Sequence, residues 1–411
     1  MKERKNIALI SVHGDPAVEI GKEEAGGQNV YVRKVGEALA RLGWTVNLFT
    51  RATDSAQPKI IEHCPGCRTI RLVAGQEKFI PRDNIFGYAG EFVENLLAFE
   101  KENQIEHQLF HTNYWISGWV GLQLKQQLSR PMVHTYHSLG AVKYRSIQKI
   151  PAIANTRLQV EKDCLEQSNR TIATSPQELN HMRAYVSKLG NIEIIPCGTD
   201  IEHFQALERV VAREKLGIAT DAKVAFYIGR FDERKGIETL VRAIGRSQFR
   251  DDPHLSLIIG GGSRPGHSDG EERERIEAIV EELELDEIVS FPGRISDEDL
   301  PLYYAAADVC VVPSHYEPFG LVAIEAMASG TPVVASDVGG LQFTVASEQT
   351  GLLVPPKDDA AFAAAIDRIL GNPEWRDRLG SQARKRVEEK FSWDGVAEQL
   401  SALYLQILAD T

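Results

Sequence analysis

The sequence predicts an α/β protein of two parallel-sheet domains in series, and three observations predict it. At 411 residues the chain exceeds the size at which one hydrophobic core stops growing. Short apolar, β-branched runs alternate with amphipathic segments, the rhythm of right-handed crossovers that bury a parallel sheet on both faces. That rhythm breaks once, at Pro196-Cys197-Gly198, and restarts after a polar stretch.

Ile7–Val12 (IALISV) reads as a buried strand, Val30–Leu42 as an amphipathic helix stopped by Gly43, and Val46–Thr50 as the next strand. Further strands are expected at Thr69–Val73, Leu109–Thr112, Met132–Tyr136, Thr171–Thr174 and Ile192–Ile195. After the break come Val224–Ile228, Leu255–Ile259, Val289–Phe291, Val309–Val312, Pro332–Ala335 and Leu352–Val354, with helices such as Gly236–Arg246 and Glu271–Leu285 between them. This gives an N-terminal domain over 1–200, a C-terminal domain over 201–390, and a helix over 391–411. The stretch Arg376–Asp410 reads as amphipathic helix broken around Phe391-Ser392-Trp393, and its last part is expected to pack back on the N-terminal domain.

Composition narrows the function. Hydrophobic residues at 43% and charged residues at 25% are ordinary for a globular protein. A net charge of -12 and the lack of a basic run argue against nucleic acid as partner. No segment approaches the ~20 apolar residues of a membrane span, and Met1-Lys2-Glu3-Arg4-Lys5 leads into a strand rather than a signal sequence. Five cysteines, an odd set in a large chain, fit a reducing, cytoplasmic setting. Cys64-Pro-Gly-Cys67 has the spacing of a metal or redox pair, but Pro-Gly reads as a turn between strands and no second ligand pair follows.

Three segments carry chemistry. Glu24-Ala25-Gly26-Gly27-Gln28-Asn29-Val30-Tyr31 places paired glycines before a helix, where a ligand can approach the backbone and amides favour an anion. It is not a GxGxxG fingerprint, and a plain tight turn would explain one glycine better than two. Gly229-Arg230-Phe231-Asp232-Glu233-Arg234-Lys235-Gly236 follows a strand, so Arg230 and Lys235 can clamp a diphosphate beside helix amides, with Glu233 and Arg234 read as solvated. The third runs from His315 through Glu317-Pro318-Phe319-Gly320-Leu321-Val322 to Glu325 and Val334. Its helix-start amides would face a ligand, and Glu325, set among apolar residues, needs partners such as the two hydroxyls of a ribose. Gly260-Gly261-Gly262 reads as a strand-end turn and the acidic run from Gly270 to Glu287 as a solvated helix face.

The EPFGLVAIEAMASGTPVV run and GRFDERKG resemble the signatures of the retaining family 4 glycosyltransferases, over essentially the whole chain. The resemblance implies the GT-B fold: two Rossmann-like domains with parallel sheets facing a central cleft. Within that family, Gly26-Gly27-Gln28 with Tyr31, and His137-Ser138-Leu139-Gly140 with Lys143, resemble sucrose-phosphate synthases. His111-Thr112-Asn113-Tyr114-Trp115-Ile116-Ser117-Gly118 and Phe49-Thr50-Arg51-Ala52-Thr53 also resemble the inositol-phosphate N-acetylglucosaminyltransferase of mycothiol synthesis. That enzyme typically has Met in place of Gln28 and Thr-Leu-Ala in place of Ser138-Leu139-Gly140.

The resemblance implies that Arg230 and Lys235 neutralise a leaving diphosphate. Glu317 would hold hydroxyls of the transferred sugar, Glu325 the ribose and Arg294 the base edge. Gly27, Phe319, Gly320, Leu321 and Val322 would complete the donor site. His137 would sit at the anomeric carbon, and Gln28 and Tyr114 would meet the acceptor, whose phosphate Lys143 and Arg157 would grip. Arg82, with Lys78 nearby, stands where sucrose-phosphate synthases carry a phosphate-binding lysine. Read without the family, His137 is as well a core histidine, Arg157 a helix salt-bridge partner, and Tyr114, Trp115 and Trp119 core aromatics.

The implied reaction takes UDP-glucose and fructose 6-phosphate to sucrose 6-phosphate and UDP with retention, and with no cofactor and no obligatory metal. The 411 residues are expected to be too few for the extra phosphatase-like domain found in some sucrose-phosphate synthases, in which case a separate sugar phosphatase would release sucrose. The rivals are an inositol-phosphate acceptor, a nucleotide-sugar 2-epimerase and a non-catalytic nucleotide-sugar-binding protein.

Overall fold

The computed structural model describes residues 5–18, 26–145 and 150–410; Met1–Arg4, and Glu24-Ala25 of the glycine-rich stretch, lie outside the described residues. The chain divides into two units, one of Met1–Cys197 with Trp393–Thr411 and one of Gly198–Ser392.

The first unit is built on eight strands: β1 (Asn6–Ile10), β2 (Thr45–Arg51), β3 (Ile60–Cys64), β4 (Cys67–Leu72), β5 (Leu109–Asn113), β6 (Met132–Thr135), β7 (Arg170–Ala173) and β8 (Ile192–Ile194). Their order is β3-β4-β2-β1-β5-β6-β7-β8. Ile7 to Ile10 are wholly buried, as expected for a strand covered on both faces. One strand departs from the all-parallel expectation. β3 runs antiparallel to β4, with Cys64 opposite Cys67 across the Pro65-Gly66 turn, where Gly66 takes φ 93°. Two residues cannot make a parallel crossover, so CPGC forces a hairpin at the sheet edge.

The helix Gly27–Arg41 starts three residues before the apolar periodicity does, because Gly26 and Asn29 cap it: the Gly26 N–H donates to Asn29 Oδ1 at 3.0 Å. It lies close on the sheet. A Cβ at Gly36 would meet Leu48 Cδ2 at 2.8 Å and the Cys67 sulfur at 3.0 Å. The C-terminal helix Trp393–Ala409 belongs to this unit and packs against Gly27–Arg41. Trp44 Nε1 donates to Ser401 Oγ at 2.9 Å, and the buried Tyr404 hydroxyl meets His111 Nδ1.

The second unit holds β9 (Lys223–Ile228), β10 (Leu255–Gly260), β11 (Val289–Gly293), β12 (Val309–Val312), β13 (Val333–Ser336) and β14 (Gly351–Val354), all parallel, in the order β11-β10-β9-β12-β13-β14. Helices Ile237–Gly245, Ser268–Glu282 and Asp359–Leu370 cover it, and their apolar faces join the strands in one core. The helix Pro373–Lys390 ends at Phe391, whose ring is buried against Phe319 and Phe343.

Candidate functional site

In both units the chemistry-bearing residues lie at the carboxyl ends of the parallel strands, where open α/β sheets bind ligands. In the second unit the loop after β9 and the loop after β12 touch. Gly236 takes φ 68°, and a Cβ there would stand 2.1 Å from the Pro313 carbonyl oxygen. That close approach sets Lys235 beside Glu317, with Nζ 2.7 Å from Oε2 and both side chains partly open to solvent. Arg230 is exposed at the strand exit, its carbonyl accepting from the buried Tyr227 hydroxyl at 3.3 Å. Arg234 is not the solvated charge its position suggests. It folds back on Asp232, Nη2 to Oδ2 at 2.5 Å, and Asp232 also caps the turn through the Arg234 N–H.

Glu317 is tied down through its backbone, the Gly340 N–H donating to its carbonyl at 3.0 Å. The helix Leu321–Ala328 begins at Gly320, φ 96°, with no side-chain cap, so its first amides have no acceptor within the helix. Leu321 and Val322 are half-buried there. Glu325, one turn on, accepts the hydroxyl of buried Tyr304 at 2.9 Å. Burial pushes its pKa up to about 7, with the Tyr304 hydrogen bond opposing the shift and Asp297 adding to it. Phe319, expected among the donor contacts, is 4% exposed and turned into the core. Arg294 is exposed after β11, beside Gly293, whose carbonyl accepts from Gly261 N–H at 2.8 Å.

In the first unit Gln28, half-buried one residue after the exposed Gly27, donates from Nε2 to Ser11 Oγ at 3.0 Å. His137 follows β6 in a left-handed conformation, φ 58°, rare for a residue with a Cβ. Its Nε2 lies 2.8 Å from Asn113 Oδ1, and the edge of Tyr31 packs on its ring at 4.7 Å between centroids. Burial, with His111 nearby, holds its pKa down to about 3.

Tyr114, also left-handed at φ 75°, is the centre of a cationic cluster. His13 packs on its ring at 4.5 Å, and the Arg82 and Arg157 guanidinium carbons lie 5.7 Å and 4.9 Å from its centroid. Arg157 is 2% exposed and already engaged: Nε donates to Glu161 at 2.7 Å, Nη1 to the Tyr114 hydroxyl at 2.9 Å and Nη2 to the Ser138 carbonyl at 2.7 Å. It holds Tyr114 and the His137 loop in place. Lys143 is half-buried in the short helix Gly140–Lys143, while Lys78 is exposed, its carbonyl accepting from Arg51 Nη2 at 2.8 Å.

Sequence reading missed His13, Asn113, Glu161 and Tyr304 as contributors. His13 follows the first strand, a position that could have flagged it. Tyr304 carries no local signal, since it matters only through a contact made by folding, whereas Glu161 stands four residues after Arg157 on the same helix, the spacing of a helix salt bridge. Cys64 and Cys67 are free thiols whose pKa values burial pushes up, which keeps them protonated and weakly nucleophilic.

Residues 25–203 match the model of Glycosyltransferase Family 4, and residues 209–386 that of Glycosyl transferases group 1. Among solved structures, a sucrose-phosphate synthase from Thermosynechococcus elongatus is 52% identical and superposes with a TM-score of 0.91, covering 99% of this chain and 100% of that one. HepE from Anabaena, at 20% identity and a TM-score of 0.76 over 98% of this chain and 100% of that one, shares the fold. D-inositol 3-phosphate glycosyltransferases from Corynebacterium jeikeium and Corynebacterium efficiens are 35% and 36% identical, covering 98% and 97% of this chain and 96% and 94% of their own. No described helix is long and apolar enough to cross a membrane. An anion-ready helix start beside a paired Lys and Glu, on a double parallel-sheet frame matched over its full length, makes this chain a GT-B glycosyltransferase belonging to family 4.

Proposed function

We propose that the chain is a retaining sucrose-6-phosphate synthase, moving glucose from UDP-glucose to fructose 6-phosphate. The observation that carries the acceptor assignment is the 52% identity, over 99% of the chain, to a sucrose-phosphate synthase, against 35% and 36% to the two Corynebacterium inositol 3-phosphate enzymes. The second unit would hold the donor. Glu325 with Tyr304 offers acceptors to the ribose hydroxyls, and the Gly320–Val322 amides with Lys235 and Arg230 face the diphosphate. In the first unit Arg82 beside Tyr114, with Lys143 as a further cation, would supply positive charge for a sugar phosphate, and the neutral His13 ring a hydrogen-bonding edge.

The bond from the glucose anomeric carbon to the diphosphate oxygen breaks as the acceptor hydroxyl attacks from the same face. The hydroxyl proton passes to the departing phosphate oxygen. Catalysis then rests on preorganised charge at the leaving group rather than on a protein nucleophile. Glu317, engaged by Lys235, suits a sugar-hydroxyl ligand better than an attacking carboxylate.

Incubation of the purified chain with UDP-, ADP- and GDP-glucose and UDP-N-acetylglucosamine, each against fructose 6-phosphate and inositol 3-phosphate, tests this. Sucrose 6-phosphate from UDP-glucose is the expected product. Preferential turnover of inositol 3-phosphate, the reading that the names of the 35–36% identical relatives favour, would replace it.

A further inference from the structure

Asn113 ends β5 with both ends of its side-chain amide engaged. Nδ2 faces two carbonyls, Ile10 at 3.5 Å and His111 at 3.4 Å, groups that only accept. The contacts are long, but they orient the amide, leaving Oδ1 toward His137 Nε2 at 2.8 Å. An amide oxygen cannot donate, so the hydrogen-bond network assigns the imidazole proton to Nε2. In a neutral ring Nδ1 is then a bare acceptor, and no described residue partners it.

The surroundings keep the ring neutral. His137 is faced by His111 from β5, His134 from β6, His13 from the loop after β1, and Tyr31 from the helix Gly27–Arg41. None of these carries a negative charge at neutral pH, so a second proton on His137 would meet no compensating group. The left-handed backbone at His137 is rare for a residue with a Cβ, and the Asn113 hydrogen bond helps to hold it.

We infer that Asn113 is a positioning residue that locks His137 as the neutral Nε2–H tautomer, presenting Nδ1 as an acceptor for a sugar hydroxyl. His137 therefore binds and orients, and does not deliver a proton during transfer. The use of Nδ1 by a sugar rests on the proposed glycosyl transfer; the tautomer rests on geometry alone.

Nitrogen-15 NMR of the full chain labelled at histidine, with the His137 ring assigned by its loss in His137→Gln, reads the tautomer directly. The expected result is a neutral Nε2–H pattern that does not titrate from about pH 5.5 to 8.5. A proton on Nδ1, or titration within that window, overturns the proposal. Asn113→Asp places a carboxylate on Nε2–H and should bring the imidazolium into range, so that kcat falls with decreasing pH where the parent enzyme's does not. Asn113→Leu should give mixed tautomers and lower kcat about tenfold at every pH, the scale of one neutral hydrogen bond, with UDP affinity unchanged. Parent-like pH profiles and tautomer signatures in both variants would overturn it. A locked tautomer in a chain that turns over no sugar acceptor would refute the hydroxyl role and the proposed reaction, and leave the tautomer standing.

Discussion

Lys235 Nζ stands 2.7 Å from Glu317 Oε2, joining two loops whose residues are 82 apart in the chain. The pair ties the partly exposed lysine to the loop that leads into the helix Leu321–Ala328. A departing diphosphate would exchange one carboxylate partner for phosphate oxygens, so the ammonium is in place before charge develops.

Lys235→Ala should lower kcat about 100- to 1,000-fold, the effect of removing one preorganised group from a developing anion. Steady-state kinetics with UDP-glucose measure it. A variant with parent-like kcat would remove Lys235 from the leaving-group role.

Glu325, the proposed ribose ligand, has a pKa that burial brings into the pH range of assay. Its folded pKa, near 7, lies above the ordinary 4.5 of the unfolded chain, so the native state binds the proton more tightly. Stability is then greatest below about pH 4.5 as far as this group is concerned, and falls as pH rises towards 7, by up to about 3 kcal/mol. Glu325→Gln should raise the melting temperature at pH 8 and leave it little changed at pH 5, as calorimetry would show. The same variant should weaken UDP binding at pH 8, because a carboxylate accepts two hydroxyls and an amide oxygen substitutes poorly.

Tyr114 and Arg157 predict a separation between fold and affinity. Tyr114→Phe keeps the ring but leaves Arg157 Nη1 without its acceptor, at a cost of about 1–3 kcal/mol in stability. Acceptor KM should rise while donor KM holds. Glu161→Ala, which leaves Arg157 buried without its counter-charge, should be harsher, about 3–5 kcal/mol by denaturant melts.

Gly236→Ala tests the contact between the β9 and β12 loops. The left-handed backbone alone disfavours alanine by about 1–2 kcal/mol. A Cβ 2.1 Å from the Pro313 carbonyl must also push the loops apart, carrying Lys235 from Glu317. Loss of both stability and kcat is expected; unchanged kcat would show that the Lys235–Glu317 pairing is dispensable.

The alternation of buried runs and amphipathic helices, and the cations and glycines at strand exits, could be read directly because each is local: a side-chain period or a backbone conformation that glycine permits. Strand limits moved by one or two residues, and the β3–β4 hairpin was legible as a turn but not as an antiparallel edge. The site was legible less evenly. Arg230, Lys235, Glu317 and Glu325 could be named from their motifs, whereas Phe319, a member of the same run, turned inward against Phe391. Arg157, set on an acceptor phosphate by the resemblance and read without it as a helix salt-bridge partner, is held on three sides by Glu161, Tyr114 and Ser138.

Local pattern thus settled which residue types stand at the ends of the strands and which helix starts are left bare. Folding alone decided that Tyr304 reaches Glu325, that Tyr114 captures Arg157, and that Asn113 orients His137. Those pairs join residues brought together by the sheets, and a proton's position or a carboxylate's pKa depends on distance and burial, which no spacing along the chain encodes.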